Sequence, residues 1–350
     1  MMIDLRSDTV TRPTAQMWEA MRAAPLGDDV LGDEPTVQAL ELKVASLLGQ
    51  DAALFVPSGT MANQLAIRTV CEGGDEILAH RESHIIHYET GSPAALSGCM
   101  ISPLDGLGGV FDADAVRGAI RHRDQHAPLS RMLVVENTCN RGGGTVWSVE
   151  QFASVATAAR VGGLHLHIDG ARLMNACVAL GVGPRDFTSH ADSVSLCFSK
   201  GLGAPVGSAL AGSHACIARA RRFRKMFGGA MRQSGLLAAA AIYALDHHVA
   251  RLAEDHANAR TLAAGIAEVA GLTLEGTAEK IPTNMVFFRV KSALGSAQAF
   301  CDRLREAGVL ALALSSDRVR MVTHLDVSTN DISHARAAIA STAKSSKAGA

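Results

Sequence analysis

SVSLCFSKGLGAPVG, residues 193–207, is an apolar run that ends in Ser199-Lys200 and then a glycine-rich turn. The run reads as a buried strand. In an open α/β sheet the carboxyl ends of the strands face the ligand crevice, so a lysine there is delivered into a site. A lysine amine forms Schiff bases with carbonyl compounds, and apolar burial makes it nucleophilic. The competing reading, a lysine solvated at a strand end, is the commoner one for a lysine taken alone.

Outward from this stretch, between residues 36 and 260, short β-rich runs alternate with helical patterns, the signature of βα units around a mostly parallel sheet. Further strands are expected at 52–56 (AALFV), 76–79, 132–136, 164–168 and 208–211. A helix is expected at 61–71, and the capping box Ser148-Val149-Glu150-Gln151 starts another that runs to Gly162 and Gly163. After Gly228-Gly229 come two Ala/Leu helices, 233–248 and 250–269, with a hinge between or within them. Strands at 284–290 and 318–323 flanking a helix at 296–307 make an α+β appendage. The last ten residues, STAKSSKAGA, read as a frayed tail. The domains expected are 1–250, with residues 1–35 contributing to the active site, and 251–345.

The chain has 350 residues, 48% hydrophobic and only 4% aromatic, so Ala, Leu and Val fill the core and intrinsic disorder is ruled out. A formal charge of -1 leaves no global field for nucleic acid or an anionic membrane, and any bound anion needs a local cluster. The basic run RARRFRK, 219–225, therefore reads first as a solvated helix face. Seven scattered cysteines without a CxxC pair read as reduced core thiols. With neither a leader-like start nor a 20-residue apolar run, the expected location is the cytoplasm.

Two more motifs bear on chemistry. In LHLHIDGAR, 164–172, period-2 alternation puts His165, His167 and Asp169 on one face of a strand. That face could hold zinc in a hydrolase. Equally, an aspartate at a strand end could keep a pyridine nitrogen protonated beside a Schiff-base lysine. An Asp-Gly turn with satisfied histidines is the bland alternative. In PSGTMAN, 57–63, a glycine lets the backbone approach an oxyanion, Ser58 and Thr60 offer hydroxyls, and the following helix points its free N–H groups at the anion. An ordinary helix cap is the commoner use of such a turn.

A phosphate turn, then a strand-end Asp, then a strand-end Lys is the chain order of fold-type I pyridoxal phosphate enzymes. The segments IDLRSDTVTRPT (3–14), GDDVLGDEPTV (27–37), PSGTMANQLA (57–66), HIIHYETG (84–91), HIDGARL (167–173), FSKGLGAPVG (198–207) and RKMFGGAMRQ (224–233) resemble the L-threonine aldolases in order and over nearly the whole chain. The resemblance implies a large domain with a mostly parallel seven-stranded sheet and a smaller C-terminal domain. It implies reversible cleavage of L-threonine, L-allo-threonine and related β-hydroxy-α-amino acids to glycine and an aldehyde. Lys200 would carry pyridoxal 5'-phosphate, Asp169 would hold the ring nitrogen, and His84 would stack on the ring. Gly59 and Thr60 would hold the phosphate, with Lys225 reaching in from a neighbouring subunit. Ser7, Arg172 and Arg320 would contact the substrate carboxylate, with Arg172 also beside the cofactor. His126, ten residues before Glu136, would lie near the substrate hydroxyl; a histidine (His84, His87 or His126), directly or through water, would be the base. A homotetramer, a dimer of dimers, is implied, with no metal, nucleic acid or membrane among its partners. Two departures, Cys139 where the family has His in Glu-Asn-Thr-His-Asn and Leu31 where it has an aromatic, fall near the place of the β-substituent. A phenylserine aldolase, a β-eliminating lyase and a racemase are the rivals on this fold. The remote one is a zinc hydrolase built on His165, His167 and Asp169.

Overall fold

A computed structural model describes residues 2–345. Seven strands form the central sheet, in the spatial order Ala52–Val56, Ser208–Gly212, Ser193–Cys197, His165–Gly170, Ser130–Glu136, Glu76–His80 and Met100–Leu104. Only Ser208–Gly212 runs antiparallel to its neighbours. The carboxyl ends of the other strands that flank the centre, and the start of Ser208–Gly212, therefore lie along one edge.

The sheet is buried on both faces, as parallel sheets are. Leu133, Val135, Leu166, Ile168, Val194 and Leu196 point into one core, and Leu54, Val56, Ile77, Ala79, Met132 and Val134 into the other. The second core packs the helix Gly59–Val70 against the sheet, and His167 and Asp169, alternating with Leu166 and Ile168, face that helix. Trp147 sits at the rim of the first core, edge-on to Phe111 and Phe152.

The C-terminal part has its own four-stranded antiparallel sheet and its own core around Phe288, Phe300 and Leu304. The chain's first strand, Ile3–Asp4, pairs in parallel with Val309–Leu310, and Leu5 is buried in this C-terminal core. The amino terminus is thus anchored on the C-terminal part, outside the 251–345 range, and from there Ser7, Asp8 and Thr11 run into the large part. The 100–104 strand carries Ser102 and Pro103 at the sheet edge, a composition that gave the sequence reading no strand signal. Of the expected tail, residues 341–345 belong instead to the helix Thr329–Ser345, where Thr342 and Ala343 are buried; the rest lies outside the described residues.

Candidate active site

Parallel pairing sets Glu136 abreast of Asp169, and Asp169 abreast of Ser195, at the carboxyl ends of three adjacent strands. The third of these, Ser193–Cys197, delivers Lys200 three residues past its end, half-buried. Thr11 Oγ1 donates to the Lys200 carbonyl (3.2 Å), which ties the amino-terminal segment to the lysine turn.

The amide of Asn63, on the first turns of Gly59–Val70, sits between two carboxylates. Its Nδ2 donates to Asp169 Oδ2 (2.8 Å) and to Glu89 Oε1 (2.9 Å). Glu89 also accepts from Gln64 Nε2 (2.6 Å) and faces His84 Nδ1 (2.8 Å). Because the carboxylate only accepts, His84 carries a proton on Nδ1, and in the neutral ring Nε2 keeps the lone pair. Burial opposes charge on this ring, but the Glu89 hydrogen bond and the Asp169 charge outweigh it and hold its pKa above the ordinary histidine value. Glu136 accepts backbone N–H groups from His84 and Asn140 (2.9 Å each), yet burial and the neighbouring Asp169 charge raise its pKa. His84, Glu89 and Asp169 bring ligand-type atoms within 4.8 Å of one another; neither His165 nor His167 belongs to that group, so the zinc face expected as the remote alternative is not assembled.

Arg172 and Asp8 form a fully buried two-point ion pair, Nε to Oδ2 at 2.7 Å and Nη2 to Oδ1 at 2.5 Å. Asn284 Nδ2 adds a third hydrogen bond to Asp8 (3.2 Å). Burial favours a neutral acid, but Arg172, Lys200 and Asn284 together pull the Asp8 pKa far below the carboxylate range. The fork of Arg172 is thus occupied, and among the described residues Nη1 alone is left without a hydrogen bond. Arg320 donates from Nη1 to Asn140 (2.9 Å) and from Nη2 to the Arg6 carbonyl (3.1 Å), while its buried Nε has no partner. Each guanidinium thus keeps one donor without a partner among the described residues, and the Arg172 charge acts on Arg320, so the two cations lie near one another, the charge a carboxylate would need. Ser7, half-buried, caps the turn that holds Asp8.

The start of Gly59–Val70 tests the phosphate reading. Ser58 Oγ caps the helix by accepting from Met61 N (3.2 Å), and the first N–H groups, at Gly59 and Thr60, have no intrahelical acceptor. A Cβ on Gly59 would come within 2.6 Å of Cys197 Sγ, and beyond it lies Ser208 Oγ, buried and without a partner. An orphaned hydroxyl beside free helix N–H groups fits an anion such as a phosphate monoester. Substituting Gly59 by Ala should cost about 1–3 kcal/mol through overpacking, and the double variant with Cys197→Ala should recover most of it in urea melts. An additive double variant would separate the two sites.

Other expected residues lie elsewhere. His126 is exposed in the loop before Ser130–Glu136, beside Gln125, at the opposite end of that strand from Glu136. Six strand steps, roughly 20 Å, separate it from the crevice of its own chain. His87 faces the Arg81 carbonyl (2.8 Å) at the surface. Cys139 is 1% exposed, with its sulfur against Gly109. Leu31 stands 76% exposed on the 28–33 turn. Lys225 is exposed on His214–Met226. Its neighbour Arg224 is buried against Asp29 (2.6 Å) and the Phe55 carbonyl (2.7 Å), so part of the basic run is internal structure. Asp8, Asn63, Glu89 and Ser208 escaped the sequence reading as site residues; Asp8, Asn63 and Glu89 stood in the quoted motifs, but nothing in their spacing marks them as partners.

This crevice, with its strand-end lysine and acidic pair on an α/β sheet, is that of a lyase: residues 4–293 match the family model described as Beta-eliminating lyase. The chain is 44% identical to the low specificity L-threonine aldolase of Escherichia coli (strain K12), across 96% of this chain and 98% of that one. The fold superposes on a threonine aldolase of Leishmania major with TM-score 0.81 at 18% identity, covering 97% and 99% of the two chains. It also superposes on a structure described as SPT with PLP internal aldimine, with TM-score 0.75 at 17% identity, over 99% and 88%. The chain belongs to the L-threonine aldolase family.

Proposed function

We propose that this carbon–carbon lyase cleaves L-threonine, L-allo-threonine and related β-hydroxy-α-amino acids reversibly to glycine and an aldehyde, using pyridoxal 5'-phosphate. The observation that carries the reading is the convergence of Lys200, Asp169 and the Gly59 helix start on one sheet edge. When bound, the cofactor supplies an electron sink for the Cα–Cβ bonding pair.

The residues of this chain divide the remaining work. Lys200 would hold the cofactor through its side-chain amine. Asp169, fixed by Asn63, accepts the ring N–H, and His84 covers the ring. Gly59, Thr60 and Ser208 hold the phosphate, with Lys225 added from a neighbouring subunit. Arg172 Nη1 and Arg320 Nε, with Ser7, hold the substrate carboxylate and so fix rotation about the bond to be broken. His84 Nε2 takes the β-hydroxyl proton, directly or through water, with Glu89 steadying the ring that becomes charged. His126 can reach a substrate only in another subunit's crevice. The assembly in this reading is a homotetramer, a dimer of dimers, in the cytoplasm.

The test is a visible spectrum of the purified protein followed by product analysis with threonine, allo-threonine and phenylserine, on material sized by gel filtration. A band near about 420 nm and equimolar glycine and aldehyde from a tetramer are expected. 2-Oxobutyrate from threonine, or phenylpyruvate from phenylserine, would favour the β-eliminating rival, and a changed Cα configuration without cleavage the racemase.

A further inference from the structure

Behind Asp169, away from the crevice, lies a line of polar groups that neither lysine chemistry nor carboxylate binding uses. His165 Nε2 faces Ser193 Oγ (2.8 Å), which faces His167 Nδ1 (2.9 Å). His167 Nε2 faces Asn63 Oδ1 (3.2 Å), and Asn63 Nδ2 donates to Asp169 Oδ2 (2.8 Å). Ser195 Oγ donates to the same Asn63 oxygen (2.9 Å). His167 and Ser193 are 0% exposed, Asn63 2% and Asp169 3%, so the bonds from Ser193 to Asp169 are shielded from bulk water, while His165 at the far end is half-buried.

The direction of every bond in this line can be deduced. Asp169 and Glu89 accept only, so the Asn63 face turned to them must be the NH2 group, and its oxygen must face the other way. That oxygen also accepts only, so His167 carries its hydrogen on Nε2. Burial drives His167 down to about 4, which keeps it neutral, and a neutral ring protonated on Nε2 has a lone pair on Nδ1. Ser193 must then donate to Nδ1, and its oxygen is left to accept from His165 Nε2–H. The result is a one-way chain, His165 to Ser193 to His167 to Asn63 to Asp169, in which each group fixes the orientation of the next. If Asn63 flipped, its oxygen would meet two carboxylates, and the Ser195 hydroxyl and the His167 N–H would each lose an acceptor.

We propose that His167 is a positioning residue for the reaction: it locks the Asn63 amide so that a permanent N–H donor aims the Asp169 carboxylate at the cofactor ring nitrogen. This rests on the reading of Asp169 as the partner of that nitrogen. Chains of aligned hydrogen bonds in a low-dielectric interior reinforce one another, so the loss of a distant member is felt at the last acceptor. The sequence motif His-Ile-Asp thus has two functional side chains on one face, and the histidine's share is exerted through a helix residue more than a hundred positions earlier.

The experiment uses the holoenzyme in three forms, parent, His167→Phe and His167→Gln. Glutamine can place an N–H near the position of Nε2, whereas phenylalanine fills the space and donates nothing. Far-ultraviolet circular dichroism checks the fold of each. The readouts are the pyridoxal phosphate dissociation constant, the position and pH dependence of the visible band, and the split between kcat and KM for threonine. For His167→Phe we expect cofactor affinity about tenfold weaker, a displaced band titration and kcat about tenfold lower with KM within twofold. For His167→Gln we expect most of each change to be reversed. A folded His167→Phe protein with parental affinity, band titration and kcat would overturn the proposal. Equal losses in both variants would overturn it too, by assigning His167 to packing alone. A parent that binds no pyridoxal phosphate would instead refute the cofactor reading, so the two failures are distinct.

Discussion

Lys200→Ala should lose threonine cleavage by at least about three orders of magnitude, about 4 kcal/mol in activation free energy. The lysine lies three residues past a fully buried strand, and its turn is pinned by Thr11 and by the Gly203 N–H that donates to its carbonyl (2.8 Å). The backbone of the variant should therefore be undisturbed. What disappears is the amine that holds the cofactor carbon and gives it up to substrate. The band near about 420 nm should vanish, and borohydride, which fixes the cofactor to the parent, should leave label on a single peptide containing Lys200. The variant should still bind pyridoxal phosphate weakly through the Gly59 helix start and Asp169, as a shifted absorbance. A Lys200→Ala protein with the parent spectrum and measurable turnover would move the covalent attachment to another lysine and dissolve the site as described.

The sequence made the lysine, the aspartate and the glycine turn legible because each is bound to a local pattern with a known geometric consequence. A strand end projects its next residues into the crevice, and a Ser-Gly-Thr turn opens a helix. Six of the seven central strands could be read from their apolar content, and the seventh could not, because its middle carries Ser102 and Pro103. Residues such as Asp8, Asn63 and Glu89 were invisible for a different reason. Their roles come from partners 164, 106 and 26 positions away, and no periodicity encodes such a distance. His126 is the converse case. Its spacing to Glu136 is preserved, but seven residues of extended chain carry the two to opposite ends of the sheet. Cys139 likewise sits next to a site residue in sequence and faces a glycine loop in space.

Asp8→Ala should destabilise the protein by about 3–5 kcal/mol at neutral pH, the usual result of leaving one member of a buried ion pair alone. Arg172 would keep its charge in a cavity that no longer holds an anion, and Asn284 would lose an acceptor. The pH dependence follows from the sign of the shift. The Asp8 pKa is depressed in the folded chain, so its stabilisation is complete above the unfolded value of about 3.9 and is lost as pH falls through the folded value. Urea melts should therefore show a constant gap between parent and variant from pH 5 to 7, narrowing steadily as the medium becomes more acid than about pH 4. Removing both charges separates pairing from burial. Since an apolar replacement of both partners is often neutral or better, Asp8→Ala with Arg172→Met should regain most of the stability while binding glycine poorly, because Arg172 Nη1 is then gone. The single variant and the double variant thus fail in opposite ways, one in folding and one in carboxylate recognition. A single variant within about 1 kcal/mol of the parent at pH 7 would mean that water reaches Arg172, and that the pair does not fix its free edge against the substrate.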